Sequence, residues 1–228
     1  VFLFALAILT TFYTLDSLYA ERKDKSILFW RSLPITDAET VVSKLLTAII
    51  VLPLVTVAAI IVTHLVNLVV TTIWVMVKGG NAAHLIWGSV PLFDNWVAAL
   101  IVTIASTVWM SPLIGWFLFV SAFTKRSPLL MAFMPLIIIP IIEWIFFRSK
   151  MFATAVFGRG EMIPLFHDMD IERFFDEDRM KVNEEVVSLL AHIDVGNFLL
   201  SPSVWAGIVV CGLFATAAIY VRRYRDDS

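Results

Sequence analysis

The stretch ERKDKSILFWRSLP occupies residues 21–34 and separates the first two long apolar runs of the chain. It begins with five charged residues and then carries the large apolar side chains of Ile27, Leu28, Trp30 and Leu33. Apolar side chains retained in a polar connection are typical of a helix that packs into the groove of a partner protein, with the charges fixing its register. The stretch therefore predicts a cytosolic docking helix; a basic loop that only sets membrane topology is the alternative.

The composition is that of an integral membrane protein. Of the 228 residues, 60% are hydrophobic and only 16% are charged, whereas an ordinary soluble domain is about 45–50% apolar and about 25% charged. The excess lies in runs of membrane-spanning length, so we expect an all-α membrane protein whose helices contact the lipid bilayer. A net charge of −2 favours no nucleic-acid partner. The single cysteine, Cys211, excludes a disulfide framework and a cysteine metal site.

The apolar runs predict five transmembrane helices, at residues 1–18, 41–77, 96–123, 128–147 and 204–221. The second run is preceded by a capping box, in which Thr36 is the N-cap and Glu39 lies three residues on, so its helix should begin near Asp37. From there to Val77 the helix would be about 60 Å long, too long for a perpendicular span. We expect it to kink near Pro53 and to tilt.

Basic residues indicate the orientation. They cluster at residues 22–31, 125–126 and 222–225. Five spans put these three places on one face, and the short opposite loop has only Lys78, so the basic face and the segment 19–36 should be cytosolic. The chain opens on Val1 with neither an initiator Met nor a basic n-region, so we expect it to begin within a span and the full protein to have six.

The loop at residues 148–202 is polar, net acidic and, in this topology, extracytoplasmic. Between Ile171 and Ile193 apolar residues recur at roughly helical spacing, with Asp and Glu on the other face. This pattern predicts one or two amphipathic helices that lie on the outer membrane surface or cap a translocation route. A small lid that binds no ligand is the alternative.

Three polar residues within the spans are candidates for a substrate path. His64 and Asn67 are about one helical turn apart and can share a face, and Glu143 is an ionisable residue in the fourth span. Each also has a structural interpretation. The first two suit hydrogen bonds between helices, and Glu143 suits snorkelling to the outer interface, where Arg148 or Lys150 would pair with it.

The motifs of membrane-embedded enzymes and of nucleotide-binding proteins do not occur in the sequence. The four histidines are scattered, and neither H-E-x-x-H nor G-x-S-x-G is found. No G-x-x-x-x-G-K-[ST] pattern occurs either. We therefore predict no catalytic, cofactor or metal site in this chain, and expect any ATP to be bound by another chain.

The run LYAERKDKSILFWRSLPITDAETVVSKLLTA resembles the first cytoplasmic loop of bacterial ABC-2-type transporter permeases. In that family the loop has a cluster rich in Glu, Arg, Lys and Asp, then an apolar helix, a Leu-Pro pair and a helix that starts at Thr or Ser. The resemblance covers about residues 15–50. The remaining spans are similar only in number, order and hydropathy. The chain departs from the family pattern by lacking the first span and by its large loop before the last span.

The resemblance implies the permease subunit of an ABC exporter in a bacterial inner membrane. It implies a dimer with a second permease subunit, and a pair of separate ATP-binding subunits that hold ATP and Mg. Carried over by motif position, the coupling segment that docks on the ATPase includes Glu21, Arg22, Lys23, Asp24, Ile27, Leu28, Trp30 and Leu33. An accessory or scaffold membrane protein is the alternative, and an intramembrane enzyme is a more remote one.

Overall fold

The computed structural model of the protein describes residues 1–25, 35–87, 91–160, 164–165 and 189–224. Five stretches of helix in these residues are long and apolar enough to cross a membrane: Phe2–Lys23, Asp37–Val77, Leu92–Trp109, Pro128–Phe147 and Pro202–Tyr224. The chain is thus an all-α, multi-pass membrane protein, as its composition predicts.

Nine α-helices are assigned in the described residues. They are α1 (Phe2–Lys23), α2 (Asp37–Leu46), α3 (Leu52–Val77), α4 (Leu92–Trp109), α5 (Ser111–Phe123), α6 (Pro128–Ile142), α7 (Met151–Phe157), α8 (Val195–Leu200) and α9 (Pro202–Tyr224). Wider π-helical turns lie at Thr47–Val51, Ala83–Trp87 and Glu143–Phe147, and 3-10 turns at Gly158–Gly160 and Leu189–His192.

The second long helix begins where its capping box predicts. The Thr36 hydroxyl accepts a hydrogen bond from the Glu39 backbone N–H at 3.2 Å, and the Glu39 carboxylate accepts one from the Thr36 N–H at 2.7 Å. The helix continues to Val77, interrupted by the π turn that joins α2 to α3. Pro53 lies two residues after that turn and has no N–H to offer it, so the helix widens at the place where a kink was expected.

The predicted third span, residues 96–123, is wrong as a single helix. The structure has two helices there, α4 and α5, separated at Met110, and the first begins at Leu92. Pro112 lies at the start of α5; within a continuous helix it would clash with the carbonyl of Val108 and leave it without its donor. With 13 residues, α5 is only about 20 Å long and cannot span the bilayer core by itself. Hydropathy does not reveal this break because both sides of it are apolar.

Helix α5 lies in the centre of the bundle and packs against α1 and α9. The contact with α9 is close at Gly115, where a Cβ atom would lie 2.9 Å from the Cα of Cys211. Towards the basic end, Leu18 of α1, Leu118 of α5 and Ala218 of α9 share one buried cluster with Val41 of α2. Four helices that are distant in sequence are therefore fixed to one another here.

The structure describes only part of each of the two predicted connecting segments, residues 19–36 and 148–202. The segment 19–36 is not separate from the first span, because α1 continues without a break to Lys23. In the loop 148–202 the structure describes α7, α8 and the 3-10 turns. Residues 161–163 and 166–188, which carry most of the predicted amphipathic helices, lie outside the described residues.

Candidate functional site at the basic end of the bundle

The predicted coupling segment is described only in its charged part. Glu21, Arg22 and Lys23 form the last turn of α1, and Asp24 is its C-cap residue. The predicted docking residues Ile27, Leu28, Trp30 and Leu33 lie outside the described residues.

Arg222, near the end of α9, is the centre of an ion-pair network. Its Nη1 lies 2.7 Å from Oε2 of Glu21, and its Nε lies 2.9 Å from Oδ1 of Asp37. The side chains of Arg222 and Glu21 are only 4% and 9% exposed. Lys44 of α2 completes the network, with its Nζ 3.1 Å from the other carboxylate oxygen of Glu21. We call these four residues the charge clamp.

The charge clamp is electrically balanced, with two acids and two bases. The buried charges of Arg222 and Glu21 need partners of opposite charge. Loss of one member of a buried pair typically lowers the free energy of unfolding by about 3–5 kcal/mol. Glu21 also lies in the last turn of its helix, where the helix dipole disfavours a negative charge. The two cations that contact its carboxylate remove that penalty.

The two acids of the charge clamp, Glu21 and Asp37, lie at opposite ends of the segment 22–36. Glu21 precedes the segment 22–36 and Asp37 follows it, and both bind the same guanidinium. The two ends of the segment are therefore fastened to α9, across sequence separations of 201 and 185 residues.

A second set of contacts fastens the end of α1 to the end of α5. Arg22 donates to the carbonyl of Ser121 and to that of Thr124, the latter at 2.9 Å. The Ser121 hydroxyl accepts from the backbone N–H of Leu18 at 3.1 Å, and the Tyr19 hydroxyl donates to the Arg126 carbonyl at 2.7 Å. The ends of α1, α5 and α9, which lie at or next to the three basic places of the topology prediction, are thus held together at one end of the bundle.

His64 and Asn67 line one shallow cavity of 440 Å³ together with Phe2 of α1. The His64 Nδ1 atom accepts a hydrogen bond from the indole N–H of Trp96 on α4, at 3.1 Å. His64 therefore joins α3 to α4, which is the structural interpretation of this residue.

Glu143 does not lie with them, because its contacts are made at the start of α7. Its Oε2 accepts a hydrogen bond from the backbone N–H of Phe152 at 2.9 Å. Among the described residues no ion pair joins Glu143 to Arg148 or Lys150, so the expected pairing is wrong; the Arg148 guanidinium lies over the Trp144 ring instead, 5.6 Å from its centroid. A carboxylate accepts well from the free N–H groups at a helix start, which explains the preference.

A further arginine, which the sequence analysis did not single out, holds the break at Met110. Arg159 donates to the carbonyls of Trp109 at 2.7 Å and Ser203 at 2.9 Å. Its guanidinium also lies 4.7 Å from the centroid of the Trp109 indole ring. Burial lowers the pKa of Arg159 from its ordinary value, but a guanidinium stays charged. Arg159 therefore satisfies the carbonyl at the end of α4 and ties it to the start of α9.

In the part of the chain that the structure describes, no group of three His, Cys, Asp or Glu residues is placed to hold a metal ion. Comparison of the chain with protein-family models, with curated proteins and with solved structures gave no match.

Proposed function

We propose that this chain is the permease subunit of an ATP-binding cassette exporter of the ABC-2 type, in a bacterial inner membrane. A separate subunit would bind ATP and Mg and hydrolyse the ATP, and a second permease subunit would complete the translocation path. The observation that carries the proposal is the charge clamp, which fastens both ends of the segment 22–36 to α9.

A segment that passes on the motion of a partner must be firmly attached to the helices that respond. If its ends were loose, a push on the segment would be absorbed by local bending. Here one end is held through Glu21 and the other through Asp37, and both meet Arg222 on α9. The bond from Arg22 to the end of α5 adds a second attachment. A displacement of the segment would therefore move the transmembrane helices directly.

The packing beyond the charge clamp favours a concerted movement. Helices α5 and α9 approach closely at Gly115 and Cys211, so they would shift together as one body. In the proposed cycle, ATP binding closes the partner subunits, these push on the docking residues around Trp30, and the tied helices reorient as a unit. Such a rigid-body change between two states is a common route for switching in proteins.

Purification and ATPase assay test the proposal. The tagged protein is isolated from its native membrane in mild detergent and assayed for a co-purifying ATPase. Wild type, Trp30→Ala and Leu33→Ala are compared with Trp74→Ala as the matched control, since Trp74 is 62% exposed on α3 and far from the segment in sequence. We expect all four to reach the membrane, and only the first two variants to lose ATPase binding and transport.

Two results would overturn the proposal. A preparation without any ATPase would favour an accessory or scaffold protein. Full ATPase coupling and transport in Trp30→Ala would remove the docking role of the segment.

A further inference from the structure

A groove of 760 Å³ runs along one face of α1 towards the basic end. Its floor is a helical stripe of α1 that includes Leu9, Phe12 and Asp16, and its walls include Leu52 of α3 and Leu129 of α6. Leu9 and Phe12 are 56% and 57% exposed. Since apolar side chains that stay exposed in a membrane helix face the hydrocarbon, the groove is open to the lipid.

Asp16 is the distinctive residue of this groove. It is an exposed carboxylate, and no hydrogen bond or ion pair engages its side chain within the described residues. It lies eight residues before Asp24, which places it about 12 Å along the helix from the basic end. An ionisable group set into a span is expensive and calls for a counter-charge.

The other charges on the groove do not supply that counter-charge. Lys44 lines the groove, but its ammonium is bound to Glu21 at 3.1 Å. Glu21 is itself neutralised by Arg222 at 2.7 Å. Asp24, the remaining charged residue of the lining, is a carboxylate and supplies no counter-charge either. The groove therefore combines apolar walls with the Asp16 carboxylate, which no basic residue of the lining compensates, near the level where head groups meet hydrocarbon.

We propose that this groove binds an amphiphile with a cationic head group and an aliphatic tail. The ammonium group pairs with the Asp16 carboxylate, and the tail lies along Leu9 and Phe12 between α3 and α6. The same carboxylate repels an amphiphile with an anionic head. Binding of this kind needs no ATP and no partner chain, so it stands apart from the proposed transport function.

Photolabelling of the full chain in dodecyl maltoside, a non-ionic detergent, tests the proposal. The probe is dodecylamine with a diazirine in its tail, and the competitors are dodecylamine, dodecanol and dodecanoate, which share the tail and differ in head charge. We expect labelled peptides from α1, α3 and α6. Dodecylamine should compete at a concentration at least about tenfold lower than either of the other two, as a charge-assisted contact predicts.

Two variants separate the head-group contact from the tail contact. Asp16→Asn removes the charge at an exposed position, so folding is not at risk, and should weaken labelling about tenfold. Asp94→Asn, the same change in the first turn of α4, should leave it unchanged. Leu129→Trp fills the groove without altering its charge and should also reduce labelling. Three results would overturn the proposal. These are equal competition by all three amphiphiles, unchanged labelling of Asp16→Asn, and labels confined to helices other than α1, α3 and α6, as expected if another helix fills the groove.

Discussion

Replacement of Arg222 by methionine tests whether the charge clamp holds the bundle together. The change keeps an unbranched side chain of similar length but leaves two acids without their common cation. Breaking a buried ion pair typically costs about 3–5 kcal/mol. Lys44 remains bound to Glu21, and the Asp37 side chain is 28% exposed and partly reached by water. We therefore expect the lower end, about 3 kcal/mol.

The single cysteine provides the assay. Cys211 is buried at the contact between α9 and α5, so a dye that fluoresces on reaction with a thiol reports the separation of these helices on heating. For a chain of about this size 1 kcal/mol corresponds to about 2–4 °C, so Arg222→Met should lower the unfolding midpoint by about 6–12 °C. The matched control is the neighbouring Arg223→Met. Arg223 is exposed, and a surface substitution of this kind changes stability by no more than about 0.5 kcal/mol.

A rescue variant separates the loss of charge pairing from the loss of packing. In the Arg222→Met background, Glu21→Gln and Asp37→Asn remove the two uncompensated charges and should restore part of the midpoint. If Arg222→Met unfolds at the same temperature as Arg223→Met, or if neutralising both acids restores nothing, the charge clamp is not the attachment described above.

Two further predictions use the same thiol assay. Gly115→Ala should lower the unfolding midpoint because the new Cβ would lie 2.9 Å from the backbone of α9. Gly212→Ala is its control and should keep or raise the midpoint, since nothing lies within 4 Å of the new Cβ. Equal midpoints for the two variants would contradict a close contact between α5 and α9. Arg159→Lys should lower the free energy of unfolding by about 1–3 kcal/mol, and the midpoint with it, because a lysine cannot reproduce the forked bonds to two carbonyls. Arg148→Lys, on an arginine that lies over a ring, is its control, and an equal effect of both changes would contradict a specific role for Arg159.

Features set by neighbouring residues were predictable from the sequence. The capping box of Thr36 and Glu39 uses groups three residues apart, and the structure has both of its hydrogen bonds. The long apolar runs likewise give the spanning helices, because the bilayer requires about 20 apolar residues in succession. The predicted end of the first helix, at residue 18, is wrong because charged residues end a hydropathy run without ending a helix, and α1 continues to Lys23.

Features set by distant residues were not predictable in the same way. The sequence gives Arg222 a place in a basic tail and Asp37 a place in the first turn of a helix, but nothing local pairs them. Glu21 would be a signal only if the end of α1 were known, because an acid in the last turn of a helix is disfavoured by the dipole and is stabilised by a nearby cation. That signal indicates a partner without identifying it.

The order of synthesis gives the charge clamp one more consequence. Asp37 leaves the ribosome 185 residues before Arg222, which at about 5–20 residues per second is an interval of about 10–40 s. Throughout that interval Asp37 lacks its arginine, and α1 and α2 have no α9 to close against. A nascent chain that stalls before α9 is inserted keeps both Glu21 and Asp37 without their common arginine. The pairing with Arg222 therefore also marks the moment at which α9 has closed on α1 and α2.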